Sequence, residues 1–242
     1  RSLRIINLLK KKFDFDIVCL KKKGAQISEK NLISFDYPNG FEKILNCIIS
    51  LLKFEPVQFG LFFSKEMKNY IAENSHDYDC LFFYHIRSSQ YLPERFFGKT
   101  ILEMGDLYSE NYLQTFKLLS FFNPFKYFYF LESLLVKRLE AKIFTNFDRI
   151  ILFSKKEAEK IKKIYKNKVF QIDESVERVV KKFSYSKLNN KILFIGNLNY
   201  LPNLLACKDF IFNVLPKLKK RIPQIRFCII GSISSFNNFI LK

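Results

Sequence analysis

A chain of 242 residues, 48% of them hydrophobic, is long enough for one large domain or two smaller ones with buried cores. Its 41 Lys and Arg against 23 Asp and Glu leave a formal charge of +18, which favours an anionic partner without choosing among nucleic acid, anionic lipid and sugar nucleotides; solvated basic helix faces would give the same excess. Two histidines, and five cysteines with no C-x-x-C pair, argue against a metal centre built by the protein, and the cysteines read as small core residues of a reducing compartment.

The first twenty residues are a Lys-studded amphipathic stretch rather than a basic end followed by an apolar block, so no secretory signal is read there. Short β-rich runs then alternate with longer helical patterns. Strands are predicted at 16–20 (DIVCL), 32–35, 80–84, 100–104, 149–153, 168–172, 191–195 and 226–230. Apolar residues recur at helical spacing over 41–53, 64–74, 109–122, 125–145, 155–165 and 203–220. This alternation, with strands apolar on both faces, implies parallel sheets covered by helices: an α/β fold. The greasiest run, 118–136, is interrupted by Asn123, Pro124, Lys126 and Glu132, and falls short of the ~18 nearly uncharged residues of a spanning helix.

Residues 173–190 are polar and charged without a clear period, and a fresh strand–turn–helix–strand unit begins at Lys191. The expected organisation is a Rossmann-like domain over 1–165, a connector over 166–190, and the opening of a second Rossmann-like domain over 191–242. Two strands and their helices are too little to close a core alone, so the chain is expected to be cut short.

In open parallel sheets ligands bind at the carboxyl ends of the strands. The run CLFFYHIRSSQY delivers His85 and Arg87 past one strand, TILEMGDLYSENY delivers Asp106 with Ser109 poised to start a helix, and KILFIGNLNYLPN delivers Gly196, Asn197 and Asn199. Each has a structural alternative: His85 bonding a loop carbonyl, Arg87 pairing with Glu94 or Glu103, Asp106 capping a helix or holding a turn. Gly196 lets backbone approach a ligand closely, and Pro202 presets the first turn of a helix whose amino end suits an anion, yet a lone glycine after a strand is far from a phosphate-loop signature.

Four segments in order, YDCLFFYHIRSSQYL (78–92), TILEMGDLYSENY (100–112), RLEAKIFTNFDRIILFSKKEAEKI (138–161) and the run from KILFIGNLNYLPN to FCIIGS (191–232), resemble the family-4 glycosyltransferases of the GT-B fold, in the branch that builds bacterial exopolysaccharide and surface glycans. In the third segment Glu140, Phe147, Asp148 and Ser154 are in register. Family members begin with a strand and Gly-rich loop and finish with an acidic donor-binding motif; neither is in this chain, so the resemblance implies a fragment of the enzyme. It implies retaining transfer of a sugar from a nucleotide diphosphate-sugar to a hydroxyl of a glycan or lipid-linked acceptor, with no bound metal and no cofactor beyond the donor. Arg87, Asp106 and His85 would then serve catalysis, and Tyr91, Ser109, Gly196, Asn197, Asn199 and Asn203 would contact substrate.

The chain departs from the family where many relatives have a histidine at the site of Tyr84, and where an Arg and a Lys, six residues apart, become Asn197 and Asn203. The usual P-N-G-V-D turn becomes DESVE at 173–177. A competing reading is a basic nucleic-acid-binding α/β module, motivated by +18 and 29 Phe, although no RNP1, zinc-finger or homeodomain pattern is present and nucleic acid is not the expected partner. A compatible one is a cytoplasmic enzyme docked peripherally on an anionic membrane through 8–13, 19–24 and the Phe-rich 116–130.

Overall fold

The computed structural model of the protein describes residues 2–25, 31–173 and 190–234. The chain folds as an α/β protein with parallel sheets, in two compact units, Arg1–Ser175 and Val176–Lys242. All eight predicted strands form, their ends displaced by a residue at most.

In the first unit, α1 (Ser2–Leu9) precedes β1 (Ile17–Lys21) and β2 (Leu32–Asp36), which pair in parallel. Three helices follow: α2 (Gly40–Leu52), α3 (Val57–Leu61) and α4 (Lys65–Asn74). Asn39 starts α2 with a reciprocal cap, accepting from Glu42 N while Glu42 accepts from Asn39 N, and Ser64 caps α4. The main sheet is parallel, in the order β3 (Cys80–Tyr84), β4 (Lys99–Gly105), β5 (Arg149–Leu152), β6 (Val169–Gln171). Between these strands run a 3-10 helix (Ile86–Tyr91), α5 (Tyr108–Leu118), α6 (Pro124–Asn146) and α7 (Lys155–Lys162).

Central strand β4 is buried along most of its length, as a strand covered on both faces must be. Leu102, Met104, Ile150 and Leu152 from the sheet pack with Val136, Ile143 and Phe144 of α6, with Phe147, and with Ala158 and Ile161 of α7. Asp148 accepts from the Thr100 amide and hydroxyl at 2.9 and 3.0 Å, fastening the entry of β5 to β4.

The first unit runs past the expected boundary at 165: β6 joins its sheet by pairing with β5, so residues 166–173 are not linker. The rest of the expected connector, 174–189, lies outside the described residues. The helix expected over 109–122 stops at Leu118, because Asn123 caps the next helix with Pro124 in its first turn.

In the second unit, β7 (Lys191–Ile195) and β8 (Arg226–Ile230) pair in parallel along their full length. The single helix expected over 203–220 is α8 (Leu201–Asp209), a π-helical turn (Phe210–Val214) and α9 (Leu215–Arg221). Pro216 explains the break: it has no N–H for the carbonyl four residues back, and its ring crowds that carbonyl. Among the described residues no helix is long and apolar enough to cross a membrane.

Candidate functional site

The chain leaves β3 through His85, a non-glycine residue at φ +74°. Backbone strain of this kind costs about 1 kcal/mol or more and persists where the surroundings enforce it. His85 N donates to Glu103 O, and its Nδ1 accepts from Arg87 N, so the ring caps the 3-10 helix. The His85 ring lies 4.7 Å from that of Tyr108, centroid to centroid.

Arg87 is half-buried. Its Nε donates to Gln58 Oε1 at 2.9 Å, and its guanidinium lies over Phe62 at 4.3 Å. The charge of Arg87 acts on Tyr112 and on Glu132, a carboxylate 1% exposed on α6 that accepts from Val57 N at 2.6 Å. Burial raises the Glu132 carboxyl above its ordinary range while these donors and Arg87 pull it back. The guanidinium is thus held by Gln58 and stacked over Phe62 rather than paired with Glu94 or Glu103. Gln58 Nε2 is a buried donor with no acceptor among the described residues. Gln58 and Glu132 were not among the expected site residues, and their only visible sign was a carboxylate interrupting an apolar run.

After β4, Gly105 at φ +82° turns the chain, and Asp106 stands exposed at the strand end. Asp106 does not cap α5. Leu107 occupies the cap position with no side-chain bond, and two glutamates serve the opening amides instead: Glu157 accepts from Leu107 N at 2.9 Å, and Glu140 accepts from Ser109 N at 3.1 Å. Glu140 also accepts from the Ser109 hydroxyl. Burial pushes its carboxyl up to about 7 in spite of these donors. The amino end of α5, a natural seat for a ligand phosphate, is therefore already filled by the chain's own carboxyls.

Ser109 is buried against Glu140. Tyr91 is 4% exposed, its hydroxyl donating to Phe62 O at 2.6 Å and accepting from Ser64 N at 2.9 Å, with burial raising its phenol to about 12. Both expected substrate contacts thus have their polar atoms bound inside the fold. His85, Arg87 and Asp106 share the carboxyl edge of β3 and β4.

In the second unit, Asn197 Oδ1 accepts from Asn199 N at 3.0 Å and from the Ser232 hydroxyl at 2.8 Å. Asn199 Oδ1 accepts from Ser234 N, and Asn203 Nδ2 donates to Asn197 O. The amides latch the turn after β7 to the loop after β8. Gly196 belongs to the same latch: a Cβ at Gly231 would stand 1.8 Å from Gly196 O, so the two loops touch backbone to backbone. Pro202 removes one amide from the start of α8 and Asn203 N is bonded to Tyr200 O, which leaves little there for an anion.

A cavity of about 580 Å³ opens elsewhere in the first unit, floored by Phe59, Phe63, Leu139 and Phe147 and bordered by Lys53 and Lys142; none of the expected site residues line it. Among the described residues no three His, Cys, Asp or Glu side chains are gathered as for a metal ion. No protein-family model matches the chain, and no curated protein matches it.

Proposed function

We propose that the protein is a retaining glycosyltransferase, working without a metal, that moves a sugar from a nucleotide diphosphate-sugar to a hydroxyl of a glycan or lipid-linked acceptor in surface polysaccharide synthesis, its two units corresponding to the Rossmann-like domains of a GT-B enzyme. The observation that carries the reading is Arg87 at the carboxyl edge of β3, gripped through one edge of its guanidinium by Gln58, beside the strained His85 and the exposed Asp106. A half-buried, pre-oriented guanidinium stabilises an anion more than a mobile surface lysine does, because its position costs no reorganisation when charge develops. The order of the four resembling segments supports the same reading.

In the reaction the bond between the anomeric carbon and the diphosphate oxygen breaks, the acceptor oxygen bonds to that carbon on the same face, and the acceptor proton leaves with the diphosphate. Arg87 bears on the anionic group and Asp106 orients the acceptor hydroxyl, so the catalytic effect is positioning together with charge stabilisation. Calorimetric titration with UDP, GDP and ADP and their hexose derivatives tests this reading, followed by transfer of labelled sugar from the donor that binds to a bacterial lipid extract. One nucleotide class binds and its sugar is transferred; absence of binding across the panel overturns the proposal.

A further inference from the structure

The periodicity of α2 predicts a helix with an apolar face, and the ordinary place for that face is the core. Here it points outward. Phe41, Ile44, Leu45, Ile48 and Leu52 fall at i, i+3, i+4, i+7 and i+11, one continuous stripe, with Phe41 77%, Leu52 75% and Ile44 63% exposed and the other two about half exposed. The opposite side of the helix is what packs: Asn46, Cys47 and the buried Ser50 turn inward, and Cys47 Sγ reaches Val57 O. Gly60 on α3 fixes the arrangement, since a Cβ there would stand 2.4 Å from the backbone of Asn46 and Cys47.

A second outward patch runs along α6. Phe121 and Phe122 before the helix, and Tyr127, Phe128, Leu131 and Leu134 on it, are all exposed. The guanidinium of Arg138, one turn further on, lies 5.8 Å from the ring of Phe54, which links the end of this patch to the residue just beyond α2. From 117 to 142 the acidic residues are Glu132 and Glu140, both buried, and Lys126 spends its ammonium on Phe116 O and Leu119 O, so the charges this segment presents to solvent are those of Lys117, Lys137, Arg138 and Lys142, all positive.

We propose that α2 and the amino-terminal half of α6 form a docking surface for an anionic lipid bilayer, with the α2 stripe entering the interface and Lys117, Lys137, Arg138 and Lys142 meeting the headgroups. Charge complementarity selects this occupant: a second copy would bring another +18 against the same basic rim, whereas an anionic bilayer attracts it. The α2 stripe is not among the segments that composition marked for a membrane. The proposal rests on exposure and charge, and is independent of the sugar-transfer reading.

The test is sedimentation of the full chain with vesicles of phosphatidylcholine alone and with about 30% phosphatidylglycerol, at low and high salt. The protein binds the anionic vesicles and releases in salt, and Ile44→Asp with Ile48→Asp weakens partitioning about a hundred-fold, near ten-fold per side chain, with an unchanged circular dichroism spectrum. The chain contains no tryptophan, so the indole introduced by Ile48→Trp is a lone reporter; its emission moves to the blue on anionic vesicles and is quenched by brominated lipid. Three outcomes overturn the proposal: the double Asp variant binding like the parent, the indole staying unshifted on vesicle-bound protein, or a lipid-free dimer that the Asp substitutions dissociate.

Discussion

The two sheet edges that carry polar side chains use them differently. Beyond β3 and β4, Arg87 is held on one side by Gln58 while Asp106 stands exposed. Beyond β7, Asn197, Asn199 and Asn203 hydrogen-bond one another and the loop after β8. A polar residue at the carboxyl end of a parallel strand is therefore not a ligand contact by position alone. What separates the two edges is where their hydrogen bonds end: the asparagine amides bond within their own two loops, whereas Asp106 stands exposed and Arg87 is held through its Nε.

The largest effect that separates the edges is expected at Gly231. Replacing it with Ala drives a methyl into the backbone oxygen of Gly196, which cannot move without breaking the pairing of β7 with β8, so a loss of about 3 kcal/mol or more is expected in urea unfolding. An unchanged midpoint would mean that the two loops are not locked together.

Glu140 comes next, on the other edge. Its carboxyl stands at about 7 in the fold against an ordinary 4.5, so folding takes up a proton between those values. Stability from this group is fully present below about pH 4.5 and is lost as pH rises through 7, a change of the order of 3 kcal/mol. Thermal unfolding across pH 5 to 8 reads it, and Glu140→Gln flattens the profile. A variant that keeps the parent's slope would remove Glu140 from the account.

The smallest effect belongs to the latch. Asn203→Ala removes one partly exposed amide bond and costs about 1 kcal/mol in the same urea unfolding, with nucleotide affinity unchanged. A ten-fold loss of nucleotide affinity at parental stability would make the asparagine a ligand contact and collapse the contrast between the edges.

The strands were legible because each parallel strand is an apolar run bounded by polar residues, a signal carried locally by segments such as Lys191–Ile195. The direction of α2 was not legible: periodicity reveals that an apolar stripe exists, while Gly60 on the following helix decides which side turns inward. The π-helical turn was signalled by Pro216 and read through. Within the third family-like segment, Glu140 caps α5, Phe147 fills the core, Asp148 ties Thr100 and Ser154 caps α7, so that likeness is carried by fasteners. Arg87 could be placed at a strand end, but its holder Gln58 comes from α3 and the ring beneath it, Phe62, follows that helix, and only the fold brings them together.

The direct measurement is sugar transfer by Arg87→Ala, with melting temperature followed in the same preparations. A turnover loss of about a hundred-fold is expected with only a few degrees of change in melting, and Arg87→Lys fails to restore it because an ammonium cannot keep the Gln58 contact and the stacking over Phe62 together. Full turnover in Arg87→Ala, or a loss that follows unfolding alone, contradicts the assignment of the chemistry to this edge.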